Sequence, residues 1–188
     1  MRIRRMLGVS SVLALLVTLA VQAPARADVP VAGSWYFFQN MVTGKVLAVN
    51  GGQMQNGAKI IQYDEIRKPD TWPINDQTWY MSTSDGGVTF ILTNWNSGRV
   101  MAIPNNNTAN GTGAIQWDYV PGLYDQQWRI EASNAYPGYY TIRNWNSQKC
   151  LGIPNGNKAN GVQAIQYDCK NSYKDQFWDV RKFGIAPS

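Results

Sequence analysis

Asn94 to Trp128 reads NWNSGRVMAIPNNNTANGTGAIQWDYVPGLYDQQW, and Asn144 to Trp178 reads NWNSQKCLGIPNGNKANGVQAIQYDCKNSYKDQFW, the same text at a constant offset of fifty with no gap. A fainter copy runs from Asn40 to Trp79 and keeps Asn40, Gly44, Asn56-Gly57 and Ile61-Gln62-Tyr63-Asp64 at an offset of fifty-four. It then carries five extra residues before Asp76-Gln77-Thr78-Trp79. They fall in the segment Glu65 to Asn75, whose Pro69, Trp72 and Pro73 mark a loop peculiar to one lobe. One unit used three times, over residues of about 35–82, 88–131 and 138–181, predicts a threefold device rather than a single cleft.

Within a copy the pattern is that of short strands. Phe90-Ile91-Leu92-Thr93 and Tyr140-Thr141-Ile142-Arg143 are β-branched and aromatic runs, each followed by the turn cluster Asn-Trp-Asn-Ser and then by a second strand-like run, Arg99 to Ile103 or Lys149 to Ile153. A Pro-Asn loop, an Ala-Ile-Gln-aromatic run, a polar loop and a last strand near Trp128 or Trp178 complete the unit. Four short strands per copy, separated by Gly, Asn and Pro and free of helical periodicity, predict an all-β fold of twelve strands. A four-stranded unit cannot bury its own apolar face, so the copies must share one centre, with Trp79, Trp128 and Trp178 as core packing there.

Met1 to Ala27 holds Arg2, Arg4 and Arg5, an apolar run from Leu7 to Ala20, and the small-residue ending Ala25-Arg26-Ala27. This predicts a secretory signal peptide, a soluble chain of residues 28–188 forming one domain, and an extracellular location. No stretch reaches the ~20 apolar residues of a membrane span. Four of the seventeen Lys and Arg lie in the leader and none of the twelve acids does, so the remaining chain has thirteen basic against twelve acidic side chains. Near-neutral charge without a basic cluster argues against nucleic acid as a partner.

The two cysteines, Cys150 and Cys169, are nineteen apart in the third copy, and their counterparts are Val46 and Glu65 in the first and Val100 and Tyr119 in the second. In a secreted chain such a pair reads as a disulfide, with two buried free thiols as the alternative. Closing that loop contributes on the order of 3 kcal/mol in the chain-entropy model.

Each copy closes on Gln-x-Trp: Gln77-Thr78-Trp79, Gln126-Gln127-Trp128 and Gln176-Phe177-Trp178. Three occurrences at repeat spacing, each preceded by Asn-Gly and a Gln-aromatic-Asp strand, resemble the ricin-type lectin family across essentially all of the chain after the leader. The resemblance implies a β-trefoil of three homologous four-stranded repeats with pseudo-threefold symmetry. It also implies a non-catalytic carbohydrate-binding module with up to one shallow pocket per lobe, and the placement of Cys150 and Cys169 matches a disulfide common in that family.

Carried over position by position, the ring that stacks on a sugar falls on Tyr63, Trp117 and Tyr167. An aromatic face suits the C–H side of a pyranose. The hydrogen-bonding position before Gln-x-Trp, usually Asn in the family, is Asp76, Asp125 and Asp175. A carboxylate accepts hydroxyl protons strongly. Where typical active lobes carry a strand Asp, this chain has Ala48, Ala102 and Gly152, and Gln62, Gln116 and Gln166 precede the ring by one place instead of two. All three lobes depart alike, which predicts a rearranged pocket in which Asp125 and Asp175 replace the strand carboxylate and Asn105 and Asn155 add donors and acceptors. The second and third lobes are favoured, because the first has Asn50-Gly51 in place of Pro-Asn and carries the extra loop. The alternative for the three acids is a turn cap before the last strand.

Catalysis is not expected. The chain has no histidine, the paired cysteines leave no thiol nucleophile, and the repeated acids belong to separate lobes instead of facing each other across one bond. No cofactor or metal is implied. The expected partner is a polysaccharide or glycoconjugate, and the expected state a monomer. The other reading is a secreted protein-binding β-trefoil, such as a protease inhibitor, acting through the loop 65–75 on a rigid core.

Overall fold

The computed structural model describes residues 30–66 and 75–183. The leader 1–27 lies outside these residues, and so does most of the loop peculiar to the first lobe, 67–74. The described residues hold twelve strands in the predicted order: β1 (Ser34–Asn40), β2 (Val46–Val49), β3 (Ile60–Tyr63) and β4 (Trp79–Ser82) in the first lobe; β5 (Ile91–Asn94), β6 (Val100–Ala102), β7 (Ile115–Trp117) and β8 (Trp128–Ala132) in the second; β9 (Tyr140–Asn144), β10 (Cys150–Gly152), β11 (Ile165–Tyr167) and β12 (Phe177–Lys182) in the third.

The first and last strands of each lobe pair into a closed ring. β1 pairs β4 and β12, β4 pairs β5, β8 pairs β9, and β9 pairs β12. Phe90 and Trp128 complete the circuit by exchanging two backbone hydrogen bonds of 2.8 and 2.9 Å between the starts of β5 and β8. Closure leaves no open sheet edge in the barrel. The inner hairpins, β2–β3, β6–β7 and β10–β11, meet on the pseudo-threefold axis. There the Ile60 amide donates to the Ala114 carbonyl, Ala114 to Ala164, and Ala164 back to Ile60, at 3.0, 2.8 and 3.0 Å.

The three tryptophans of Gln-x-Trp fill the core as expected, each fully buried. Their indole N–H groups donate to the carbonyls of Leu47, Met101 and Leu151, so none pays for a stranded donor. Strand alternation delivers this core: in β9, Tyr140 and Ile142 are buried while Thr141 and Arg143 are half-buried.

The polar half of the repeat joins the lobes. Asn40, Asn94 and Asn144 accept two turn amides each, and donate to the carbonyls of Asp175, Asp76 and Asp125 in the preceding lobe. The Asn-Gly pairs have the same logic. Gly57, Gly111 and Gly161 sit at φ of 81°, 83° and 81°, a left-handed turn that suits glycine. The adjacent Asn56, Asn110 and Asn160 exchange hydrogen bonds with Asp118, Asp168 and Asp64 of the next lobe. Lys45, Arg99 and Lys149 neutralise those same acids, with Arg99 and Lys149 at 3.1 and 2.6 Å.

Cys150 and Cys169 form the expected disulfide, linking the start of β10 to the segment after β11. No free thiol remains.

Candidate functional site

The aromatic at the end of the third strand of each lobe points outward because the glutamine before it points inward. Gln62, Gln116 and Gln166 are fully buried. Each side-chain amide donates to two carbonyls of the neighbouring lobe's long loop: Asn157 and Ala159 for Gln62, Gln53 and Gln55 for Gln116, Asn107 and Ala109 for Gln166. Each carbonyl accepts a hydroxyl from Thr43, Ser97 or Ser147. With the glutamine committed inward, the period-two alternation of a strand turns the next side chain to solvent. Tyr63, Trp117 and Tyr167 are 40%, 41% and 38% exposed.

The glutamines of Gln-x-Trp do a parallel job. Gln77, Gln126 and Gln176 accept the amides of Ile66, Val120 and Lys170 and donate to the carbonyls of Asp64, Asp118 and Asp168. They hold the chain leaving each exposed ring against the short 3-10 turn that carries the acid, Asn75–Gln77, Tyr124–Gln126 or Lys174–Gln176.

In the second lobe these constraints bring Trp117, Asn105 and Asp125 around one depression of about 190 Å³, floored by Ala102 and Ile115. Asn105 and Asn106 both adopt left-handed φ, 57° and 52°, a conformation Asn tolerates better than most residues. That pair of residues aims the Asn106 amide at Asp125 Oδ2, 3.2 Å away. Asp125 is 5% exposed and its Oδ1 has no protein partner. Burial pushes its carboxyl above the ordinary value, with the Asn106 amide opposing. A buried carboxylate oxygen without a partner costs stability.

The third lobe repeats the arrangement with more room. Tyr167, Asn155 and Asp175 line a cavity of about 350 Å³ with Gly152, Pro154 and Ile165. Here the loop amide turns elsewhere: Gly156 donates to the Ile153 carbonyl at 3.0 Å. Asp175 is half-buried, and burial raises its carboxyl, opposed by its own backbone amide. Tyr173 adds a second ring, its centroid 6.0 Å from that of Tyr167 and edge-on to it. Sequence reasoning missed Tyr173 and its counterpart Leu123, although a bulky apolar residue two places before the acid recurs in both copies.

In the first lobe Tyr63 is exposed and Asp76 half-buried, its carboxyl raised by burial. The intervening 67–74 lies outside the described residues, and with it most of the surface proposed for a protein partner. The turn tryptophans pack on the barrel wall: Trp95 against Trp35 at 4.3 Å, and Trp145 beneath the Arg129 guanidinium at 4.1 Å. Among the described residues no three Cys, Asp or Glu side chains converge as metal ligands would, and no helix is long and apolar enough to cross a membrane.

The chain belongs to the ricin-type beta-trefoil lectin domain-like family, whose pattern matches residues 26–117 and 124–185. In three dimensions it is similar to ThreeFoil, a designed 3-fold symmetric protein, with a TM-score of 0.69 and 27% identity over 78% of this chain and 96% of that one. It is also similar to part of an exo-beta-1,3-galactanase from Clostridium thermocellum, with a TM-score of 0.69 and 25% identity over 80% of this chain and 30% of that one. The C-half of an earthworm R-type lectin, solved in complex with GalNAc, shares the fold at 16% identity and a TM-score of 0.61 over 80% of this chain and 99% of that one. No curated protein sequence matches the chain.

Proposed function

We propose that this protein is a secreted, non-catalytic lectin that binds a hydroxyl-rich polysaccharide or glycoconjugate through shallow pockets on its second and third lobes. One observation carries the reading: an exposed ring, an underused buried or half-buried acid and an apolar floor converge at the same place in both lobes. The ring takes the C–H face of a sugar, and the acid accepts its hydroxyl protons. Asp125 and Asp175 stand in for the strand carboxylate absent at Ala102 and Gly152. Asn105 and Asn155 add contacts from the rim, and Tyr63 with Asp76 forms the weaker third position.

Family membership supports carbohydrate as the ligand class. The likeness to part of a galactanase makes β-1,3-galactan a first polysaccharide to try. The disulfide and the leader-like start support work outside the cytoplasm. Two weak pockets on one rigid body favour a polymer over a monosaccharide, because the second contact becomes intramolecular.

The test is a pull-down on insoluble plant, fungal and bacterial polysaccharides, β-1,3-galactan included, comparing wild type with Trp117→Ala/Tyr167→Ala and with a deletion of residues 67–72. Capture lost in the aromatic variant and kept in the deletion supports the lectin. Failure to capture any polysaccharide, or capture that the aromatic variant retains, overturns it.

A further inference from the structure

The face of the β6–β7 hairpin that floors the second lobe's pocket continues past it. Ala102 pairs Ile115 and Val100 pairs Trp117, where both strands end. Val100, Gly98 and Tyr119 line a separate depression of about 200 Å³, with Ser82, Thr83, Ser84, Ile91 and Thr93 on its far wall. Trp117 borders the first depression and Tyr119, 46% exposed, borders the second. Val100, which lines the second depression, is the cross-strand partner of Trp117, which borders the first, so the two depressions lie side by side.

The other lobes close this extension in different ways. In the third lobe the counterparts of Val100 and Tyr119 are Cys150 and Cys169, and the disulfide occupies that end of the hairpin. In the first lobe the counterpart of Tyr119 is Glu65, whose carboxylate is held 2.8 Å from the Arg181 guanidinium. Only the second lobe offers a second ring there.

The wall opposite Tyr119 suits a sugar. Ser82, Ser84 and Thr93 make no side-chain hydrogen bond among the described residues, so their hydroxyls can serve a ligand as donor and acceptor. The Thr83 hydroxyl is committed to Asp85 and keeps the wall in shape.

We propose that the second lobe is a two-ring site: Trp117 and Asp125 hold one sugar of a linear glycan, and Tyr119 with the hydroxyls of Ser82, Ser84 and Thr93 holds its neighbour. The proposal rests on the lectin reading above and narrows its ligand to the interior of an unbranched polysaccharide.

The experiment isolates the second lobe in a Tyr63→Ala/Tyr167→Ala background. Calorimetric titration uses galactose, β-1,3-galactobiose and β-1,3-galactotriose, with xylose to β-1,4-xylotriose in parallel. The readout is the ratio of disaccharide to monosaccharide affinity, together with the amide resonances of Gly98 and Thr93. A bound disaccharide should exceed its monosaccharide by about fivefold. Tyr119→Ala should bring the ratio close to one, Tyr119→Phe should keep it, and the two resonances should move with disaccharide only. A ratio that Tyr119→Ala leaves intact, or resonances that stay still, overturns the two-ring site and leaves the lectin reading standing. If no sugar of either series binds this background or wild type, while a polysaccharide is captured, the two-ring site alone falls; if no polysaccharide is captured either, both fall.

Discussion

The Asp175 carboxylate stands 3.2 Å from the point a Cβ on Gly152 would occupy, and Gln176 Cγ stands 3.0 Å from it. The place where the family's strand acid would start is therefore closed by an acid twenty-three residues further along the chain. Gly152→Ala forces both neighbours aside. It should lower stability by about 1 kcal/mol and weaken glycan binding in the third lobe, read by chemical denaturation and by titration of a Trp117→Ala background. Binding in that background unchanged by Gly152→Ala would separate Asp175 from the ligand.

Through Asp125 and Asp175, acidity should act on the fold and the site in opposite directions. Burial raises the carboxyls of Asp125 and Asp175 above their ordinary value of 3.8. From that value up to the raised folded one, the native state binds more protons than the unfolded chain, so these two groups lower stability as pH rises through that window. Asp125→Asn should therefore stabilise the protein above the window, by roughly 1 kcal/mol, and give no gain below it. Ligand affinity should run the other way and fall in wild type as pH drops through the folded value, since a protonated carboxyl is a poorer acceptor. Thermal melts and titrations between neutral pH and the carboxylate range check both, and a flat affinity profile contradicts the role given to the acids.

The buried glutamines should be costly to remove although they touch no ligand. Gln116→Leu strands the carbonyls of Gln53 and Gln55 and the Ser97 hydroxyl. The expected loss is at least about 3 kcal/mol, since three groups lose their partner and each costs on the order of 1–3 kcal/mol. Urea unfolding measures it, and a loss well under 1 kcal/mol would mean that the loop re-forms its bonds elsewhere.

Replacing both cysteines by alanine should lower stability by roughly 3 kcal/mol, the loop-closure value for a separation of nineteen residues. Cys150 pairs with Tyr167 across the hairpin, so the third lobe should also lose affinity while the second keeps it. Titration of the Cys→Ala pair in Trp117→Ala and Tyr167→Ala backgrounds separates the two.

Periodicity made much of this molecule legible in the chain alone. The repeat, the all-β class, the three central tryptophans, the disulfide and the equivalence of Tyr63, Trp117 and Tyr167 are properties of single units, and the alternation of a strand carries them. Two things were not legible. The 3-10 turns that seat Asp76, Asp125 and Asp175 are too short to leave a pattern. The inequality of the pockets depends on which neighbour each loop amide finds: Asn106 meets Asp125, whereas Gly156 meets Ile153.

The sequence by itself determined the unit, its threefold use and the side chains offered to solvent, because each of those follows from contacts within a few residues. Tertiary structure alone decided how the lobes lock and what their pockets can hold. The Gln62 side chain reaches carbonyls ninety-five and ninety-seven residues away, and Tyr119 shares its depression with Ser82 at the end of β4 in the lobe before it. Barrel closure brings those groups together, and no local rule of spacing contains it.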